Sequence, residues 1–132
     1  MHFELLVIDT NFYSAFTKRD QRAIQLLRAS QEVALPLTVL GELFGGFRYG
    51  NKTENNLAEL REFLARPSCR TLLPSLETAP IYGQLYAELK KHGSMIPTND
   101  IWIAALTIEY DGVLATFDRD FAAIPQLKLA IN

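Results

Sequence analysis

Leu5-Leu6-Val7-Ile8-Asp9-Thr10-Asn11 is the stretch whose reading decides the fold. Its four consecutive apolar residues, rich in branched side chains, read as a strand buried on both faces. That is the pattern of a parallel sheet covered by helices. The run stops on an acid. In open α/β sheets, ligands bind beyond the carboxyl ends of the strands, so Asp9 stands where chemistry is done.

Working outward, short buried strands alternate with helical periodicity to the end of the chain. Phe12 to Phe16 reads as a short helix, and Asp20 opens a second whose stripe is Ala23, Ile24, Leu26 and Leu27. Val33-Ala34-Leu35 is a strand closed by Pro36. A third helix runs from Thr38 to about Phe47, with Leu40, Leu43, Phe44 and Phe47 on one side and Glu42 away from them. Gly41, Gly45 and Gly46 surround that acid. Each costs a helix ~1 kcal/mol relative to Ala, which suggests that something approaches the backbone closely there.

Asn51 to Ala65 is a further helix striped by Leu57, Leu60 and Leu64. Thr71-Leu72-Leu73 is a strand ended by Pro74. Leu76 to Lys91 is helical, with Tyr82, Leu85, Tyr86 and Leu89 inward. Ile101 to Tyr110 is the most apolar helix, Val113-Leu114-Ala115 a buried strand, and Leu127-Lys128-Leu129 a candidate edge strand. The fold class is therefore α/β with a parallel sheet. No repeat or linker interrupts residues 1–132, which are expected to form one domain.

The totals exclude several classes. With 48% apolar and 21% charged residues the chain has an ordinary globular composition. A net charge of -2 advertises no nucleic acid, though it leaves room for a local basic rim. Cys69 stands alone, so no internal disulfide forms and a reducing cytoplasm is the natural expectation. The start of the chain lacks a signal peptide's charged and apolar regions, and no run approaches the ~20 apolar residues of a membrane helix.

Four acids carry the candidate chemistry: Asp9 after the first strand, Glu42 on the third helix, Asp100 at a helix start and Asp118 after a late strand. Each has a plain alternative. Asp9 caps a helix, Glu42 is a solvated helix residue, Asp100 favours a helix dipole, and Asp118 with Asp120 makes a turn. Together they are less plain. In a right-handed parallel sheet, the strand ends carrying Asp9 and Asp118 lie on one edge, and the helix start at Asp100 can face it. Carboxylates held together repel unless a cation joins them, and an all-oxygen set points to Mg²⁺ or Mn²⁺. Such a site suits phosphodiester hydrolysis.

Other chemistries fare worse. Gly41 to Gly46 lacks the Gly-Lys-Ser/Thr ending of a phosphate loop, and no Gly-x-Ser-x-Gly elbow exists. Cys69 reads as structural. A phosphatase using Asp9 as nucleophile would want an acid where Asn11 stands.

Val7-Ile8-Asp9-Thr10-Asn11, Glu42-Leu43 followed by Gly46, Asn99-Asp100-Ile101-Trp102-Ile103-Ala104-Ala105, and Leu114-Ala115-Thr116-Phe117-Asp118-Arg119-Asp120-Phe121 resemble the PIN-domain ribonucleases. Among these, the match is nearest to the VapC toxins of type II toxin–antitoxin modules. The resemblance implies a three-layer sandwich of helices about a short parallel sheet, and a Mg²⁺- or Mn²⁺-dependent endoribonuclease. It maps the family's four acids onto Asp9, Glu42, Asp100 and Asp118, with Asp120 secondary. Asn11 and Thr116 match polar positions expected to hydrogen-bond the carboxylates.

The resemblance also implies a homodimer and a VapB-like antitoxin lying across the surface, with Phe12, Tyr13, Phe16, Phe47 and Tyr49 as candidate contacts. Arg48, Lys52 and Arg119 are a candidate RNA rim. The remaining alternative is a PIN-fold partner in a DNA-bound regulatory complex with weak or no nuclease activity.

Overall fold

The computed structural model describes residues 1–131. Its sheet holds β1 (Phe3–Ile8), β2 (Ser30–Pro36), β3 (Cys69–Leu72) and β4 (Val113–Ala115), all parallel, in the order β3-β2-β1-β4. The helices are α1 (Thr10–Thr17), α2 (Gln21–Arg28), α3 (Leu37–Tyr49), α4 (Thr53–Leu64), α5 (Thr78–Lys91) and α6 (Thr98–Glu109), with a 3-10 turn over Arg119–Ala123. The class read from the opening stretch is therefore the observed one.

Leu6, Val7 and Ile8 have no exposed surface. Since successive strand side chains point to opposite faces, both faces of β1 are covered by helices. Burying each of these side chains stabilises the fold by ~2 kcal/mol. The chain winds from β1 through β2 to β3 on one side, then crosses back to lay β4 on the other side of β1. The strand ends of β1 and β4 thus flank a topological switch point, where a crevice opens.

β4 can lie so close to β1 because of Gly112. A Cβ there would stand 2.8 Å from Val7 Cγ2. The two residues before β4 form a tight turn, with Asp111 at φ 55°.

Several local expectations are corrected. Leu127 to Leu129 forms no strand: a single bridge pairs Leu129 with Leu114, and Leu114 N–H donates to Lys128 O at 2.8 Å. β3 starts two residues earlier than read and ends one earlier, because Arg70 and Thr71 take the register with Ala34 and Leu35 and leave Leu73 exposed. Leu76 is 89% exposed and lies before α5, which starts at Thr78. Phe44 and Tyr86 face outward rather than into the core. The α3 glycines are not close-approach sites within the chain, since a Cβ at Gly41, Gly45 or Gly46 would meet nothing within 4 Å.

Candidate active site

The register of the two central strands builds the first half of the site. Ile8 pairs with Ala115, so the next residues, Asp9 and Thr116, meet just beyond the last rung. Asp9 is 5% exposed and Thr116 is 4% exposed. The Thr116 hydroxyl donates to Asp9 Oδ2, and its oxygen accepts the Asp118 N–H at 3.0 Å. Asp9 Oδ1 accepts the Phe12 N–H at 2.9 Å and so caps α1. Asp9 therefore caps a helix and faces the cleft at once, and the two readings do not compete. Asp118 is similarly double, since its Oδ1 accepts the Asp120 N–H at 2.9 Å and opens the 3-10 turn.

The helices supply the other half. Glu42 lies on the solvent side of α3, and its Oε1 accepts the Thr10 hydroxyl at 2.8 Å. Asp100 sits in the first turn of α6, whose N-terminus follows Pro97 and has no side-chain cap. Asp9, Thr10, Asn11, Glu42, Asn99, Asp100 and Asp118 line one open cleft of about 370 Å³. The four acids nominated from sequence thus border a single space.

Their electrostatics follow from that arrangement. Burial pushes the Asp9 carboxyl above its usual range; hydrogen bonds from Thr116 and Phe12 partly offset this, and the charges of Asp118 and Glu42 add to it. Asp100 is pushed up to about 6, chiefly by burial and then by Asp118, Glu42, Asp9 and Asp120. A cation among them would remove the repulsion. The donor set is all oxygen, which fits Mg²⁺ or Mn²⁺. Among the described residues no three His, Cys, Asp or Glu side chains converge into a ready-made metal cage. An ion that keeps several of its waters suits such an open ring.

The remaining nominated residues fall in different places. Asn11 lines the cleft, but no hydrogen bond joins it to any of the four carboxylates; the hydroxyl that reaches one from this turn is that of Thr10. The hydrogen-bonding role expected of Asn11 is corrected accordingly. Asp120 lies outside the cleft lining, on the exposed 3-10 turn. Arg48 and Lys52 are exposed beyond the cleft, while Arg119 borders a neighbouring cavity on the far side of Asp118. Thr10 carried no assigned role in the sequence, and its position directly after the strand-end acid was the signal available. Cys69 is half-buried, and burial pushes its thiol up to about 11, which leaves it a poor nucleophile.

Fold and site together define an α/β domain with a carboxylate-lined cleft at the ends of its central strands. Residues 6–127 match the family model described as PIN domain, and the chain belongs to the PIN-domain family. Haemophilus influenzae Ribonuclease VapC2 is 32% identical over 103 residues, covering 75% of this chain and 75% of that protein. The crystal structure of VapBC2 from Rickettsia felis bound to a DNA fragment from their promoter superposes with TM-score 0.83. It is 28% identical, over 95% of this chain and 96% of that one. VapBC-5 from Mycobacterium tuberculosis, a member of the VapBC family of toxin-antitoxin systems, gives TM-score 0.75 and 27% identity over 95% and 96%. No helix of the described residues is long and apolar enough to cross a membrane.

Proposed function

We propose that the protein is a VapC-type, Mg²⁺- or Mn²⁺-dependent endoribonuclease, the toxin of a toxin–antitoxin pair. One observation carries the reading: Asp9, Glu42, Asp100 and Asp118, from four separate segments, border one cleft. The name of the Haemophilus influenzae relative supports it.

Asp9, Asp100 and Asp118, with Glu42 at the rim, would hold the ion. Bound there, it supplies positive charge that offsets charge developing on phosphorus and lowers the pKa of an attacking water. The chain does the rest. Thr116 holds the Asp9 and Asp118 segments in one register, so their carboxylates are positioned before substrate arrives. Thr10 keeps Glu42 turned toward the strand ends. The openness of the cleft suits a polymer lying across the surface rather than an enclosed small molecule.

An antitoxin partner is part of the same reading, supported by the VapBC assemblies that this chain resembles. A groove of about 560 Å³ between α1, α2 and α4 is the proposed seat. Tyr13, Phe16, Ile24, Leu27 and Phe63 form its floor, and Arg19, Arg28, Glu59, Glu62 and Arg66 its rim. Phe12 has no exposed surface and is excluded from that seat. Pairing there would also bring this chain into a complex on promoter DNA.

The test is cleavage of RNA by purified protein in Mn²⁺, in chelator, and as Asp100→Asn. Cleavage should vanish in chelator and fall about 10²–10³-fold in the variant, the scale for removing one charge-stabilising group. Cleavage that survives both would overturn the reading.

A further inference from the structure

A second cavity, of about 650 Å³, lies on the other side of Asp118 from the carboxylate cleft. Asp118 borders both, so the cavity adjoins the proposed centre of cleavage. Its walls are of another chemistry: Arg22 and Arg119 supply positive charge, Phe117 an aromatic ring, and Ala122, Leu129 and Ile131 an apolar floor. Beneath it, Phe12 and Phe117 stack with ring centroids 5.6 Å apart and 18° between planes. Phe12 is fully buried, which fixes the lower ring. Arg22 adds a third layer, with its Cζ 4.6 Å from the Phe117 centroid. The Arg22 side chain is 67% exposed, and Asp20 tethers its Nη2 at 3.8 Å. A guanidinium held over this ring pair and open to solvent is a cationic platform. Bases stack on such a plane whatever their sequence, because every base has a π-face.

We infer that this cavity is a nucleobase subsite, in which the base of a nucleotide flanking the scissile bond stacks on Arg22 above Phe117. This rests on the ribonuclease reading of the neighbouring cleft. Two observations favour an RNA strand as the occupant over a protein segment. Among the described residues, both ionisable side chains that border the cavity besides Asp118 are arginines, complementary to a polyanion, and the cavity shares Asp118 with the cleft whose acids would meet the phosphate. Arg22 thereby becomes a substrate-binding residue outside the carboxylate set, and Phe117 its positioning residue.

The test is fluorescence anisotropy of short labelled oligoribonucleotides in Ca²⁺, with a single abasic nucleotide moved along the strand. Wild type should lose affinity about 10-fold when the abasic site falls at one particular position. Arg22→Ala should bind the intact strand about 10-fold more weakly and lose nothing further from that abasic site. Ala122→Trp, which fills the cavity from an exposed position, should give the same insensitivity without removing charge. Equal loss at every abasic position, or an Arg22→Ala protein that keeps the wild-type sensitivity, would overturn the subsite.

If RNA binding is unchanged in both variants while binding of a cognate antitoxin is lost, the cavity belongs to a protein partner and the inference is wrong. Failure of the ribonuclease reading shows separately, as wild-type protein that displays the abasic pattern but cleaves no RNA in Mn²⁺. Absence of any RNA binding would overturn both.

Discussion

At the strand ends, Asp9 is 5% exposed and both of its carboxylate oxygens accept hydrogen bonds. Across the cleft, Glu42 is exposed on α3, and a single hydrogen bond from Thr10 ties it to the start of α1. One half of the site is part of the core; the other is lent by helix surfaces. The difference follows from parallel-sheet construction. Register fixes whatever stands one residue past two paired strands, whereas a helix can tilt or slide by fractions of an ångström while its buried stripe stays packed. The strand half should therefore be rigid and intolerant, and the helix half adjustable.

The largest consequence is catalytic. In single-turnover RNA cleavage under Mn²⁺, Asp9→Asn should lose about 10³-fold, whereas Glu42→Gln should lose only about 10-fold. Equal losses would erase the contrast between the halves.

The threonines sharpen it in stability. Thr116→Val leaves a buried carboxylate oxygen and the Asp118 N–H unpartnered, and should cost ~2 kcal/mol in urea denaturation. Thr10→Val breaks an exposed bond and should cost under ~0.5 kcal/mol. Comparable costs would place Glu42 in the core half.

Asp100 gives the pH dependence. Its folded pKa of about 6 lies above the ordinary aspartate value of 3.8. The stability linked to its protonation is thus complete below about pH 4 and is lost as pH rises through about 6. Metal-free Asp100→Asn should be more stable than wild type at pH 7.5 by ~1 kcal/mol, discounted because the group is only partly shielded. The gap should close toward pH 4. A constant gap across that range would mean that repulsion among the acids is not its source.

A further small effect lies on the open face of α3. Gly45→Ala should stabilise the isolated protein by ~0.5–1 kcal/mol, since no atom within 4 Å meets the added Cβ. Destabilisation would show that the helix surface there is less free than the geometry allows.

What the sequence disclosed divides along the same line. Leu6 to Ile8 could be read as a doubly buried strand because nothing but burial explains such a run, and Asp9 stood at its end for the same reason. Glu42 stood out by the glycines around it, yet their open surroundings remove the close approach that those glycines suggested. The resemblance named Asn11, and the sequence alone cannot tell which of the neighbours Thr10 and Asn11 turns toward α3. That depends on the exit angle of the chain from β1. The Phe12–Phe117–Arg22 stack was illegible for a similar reason: it joins three distant segments through packing that leaves no periodic trace. Leu127 to Leu129 looked like a strand from its alternation, but only one backbone bridge forms.

Calorimetric titration of the metal-free protein with Mn²⁺ tests most directly whether the carboxylates act as one site. Ion binding should release protons near pH 6, seen as a heat that changes with the buffer, because Asp9 and Asp100 must ionise to take part. Affinity should fall as pH drops below 6, and Asp9→Asn and Asp100→Asn should each weaken it at least 10-fold. Binding that is indifferent to pH between 5 and 7.5, or unchanged in both variants, would contradict a metal centre built from these four acids.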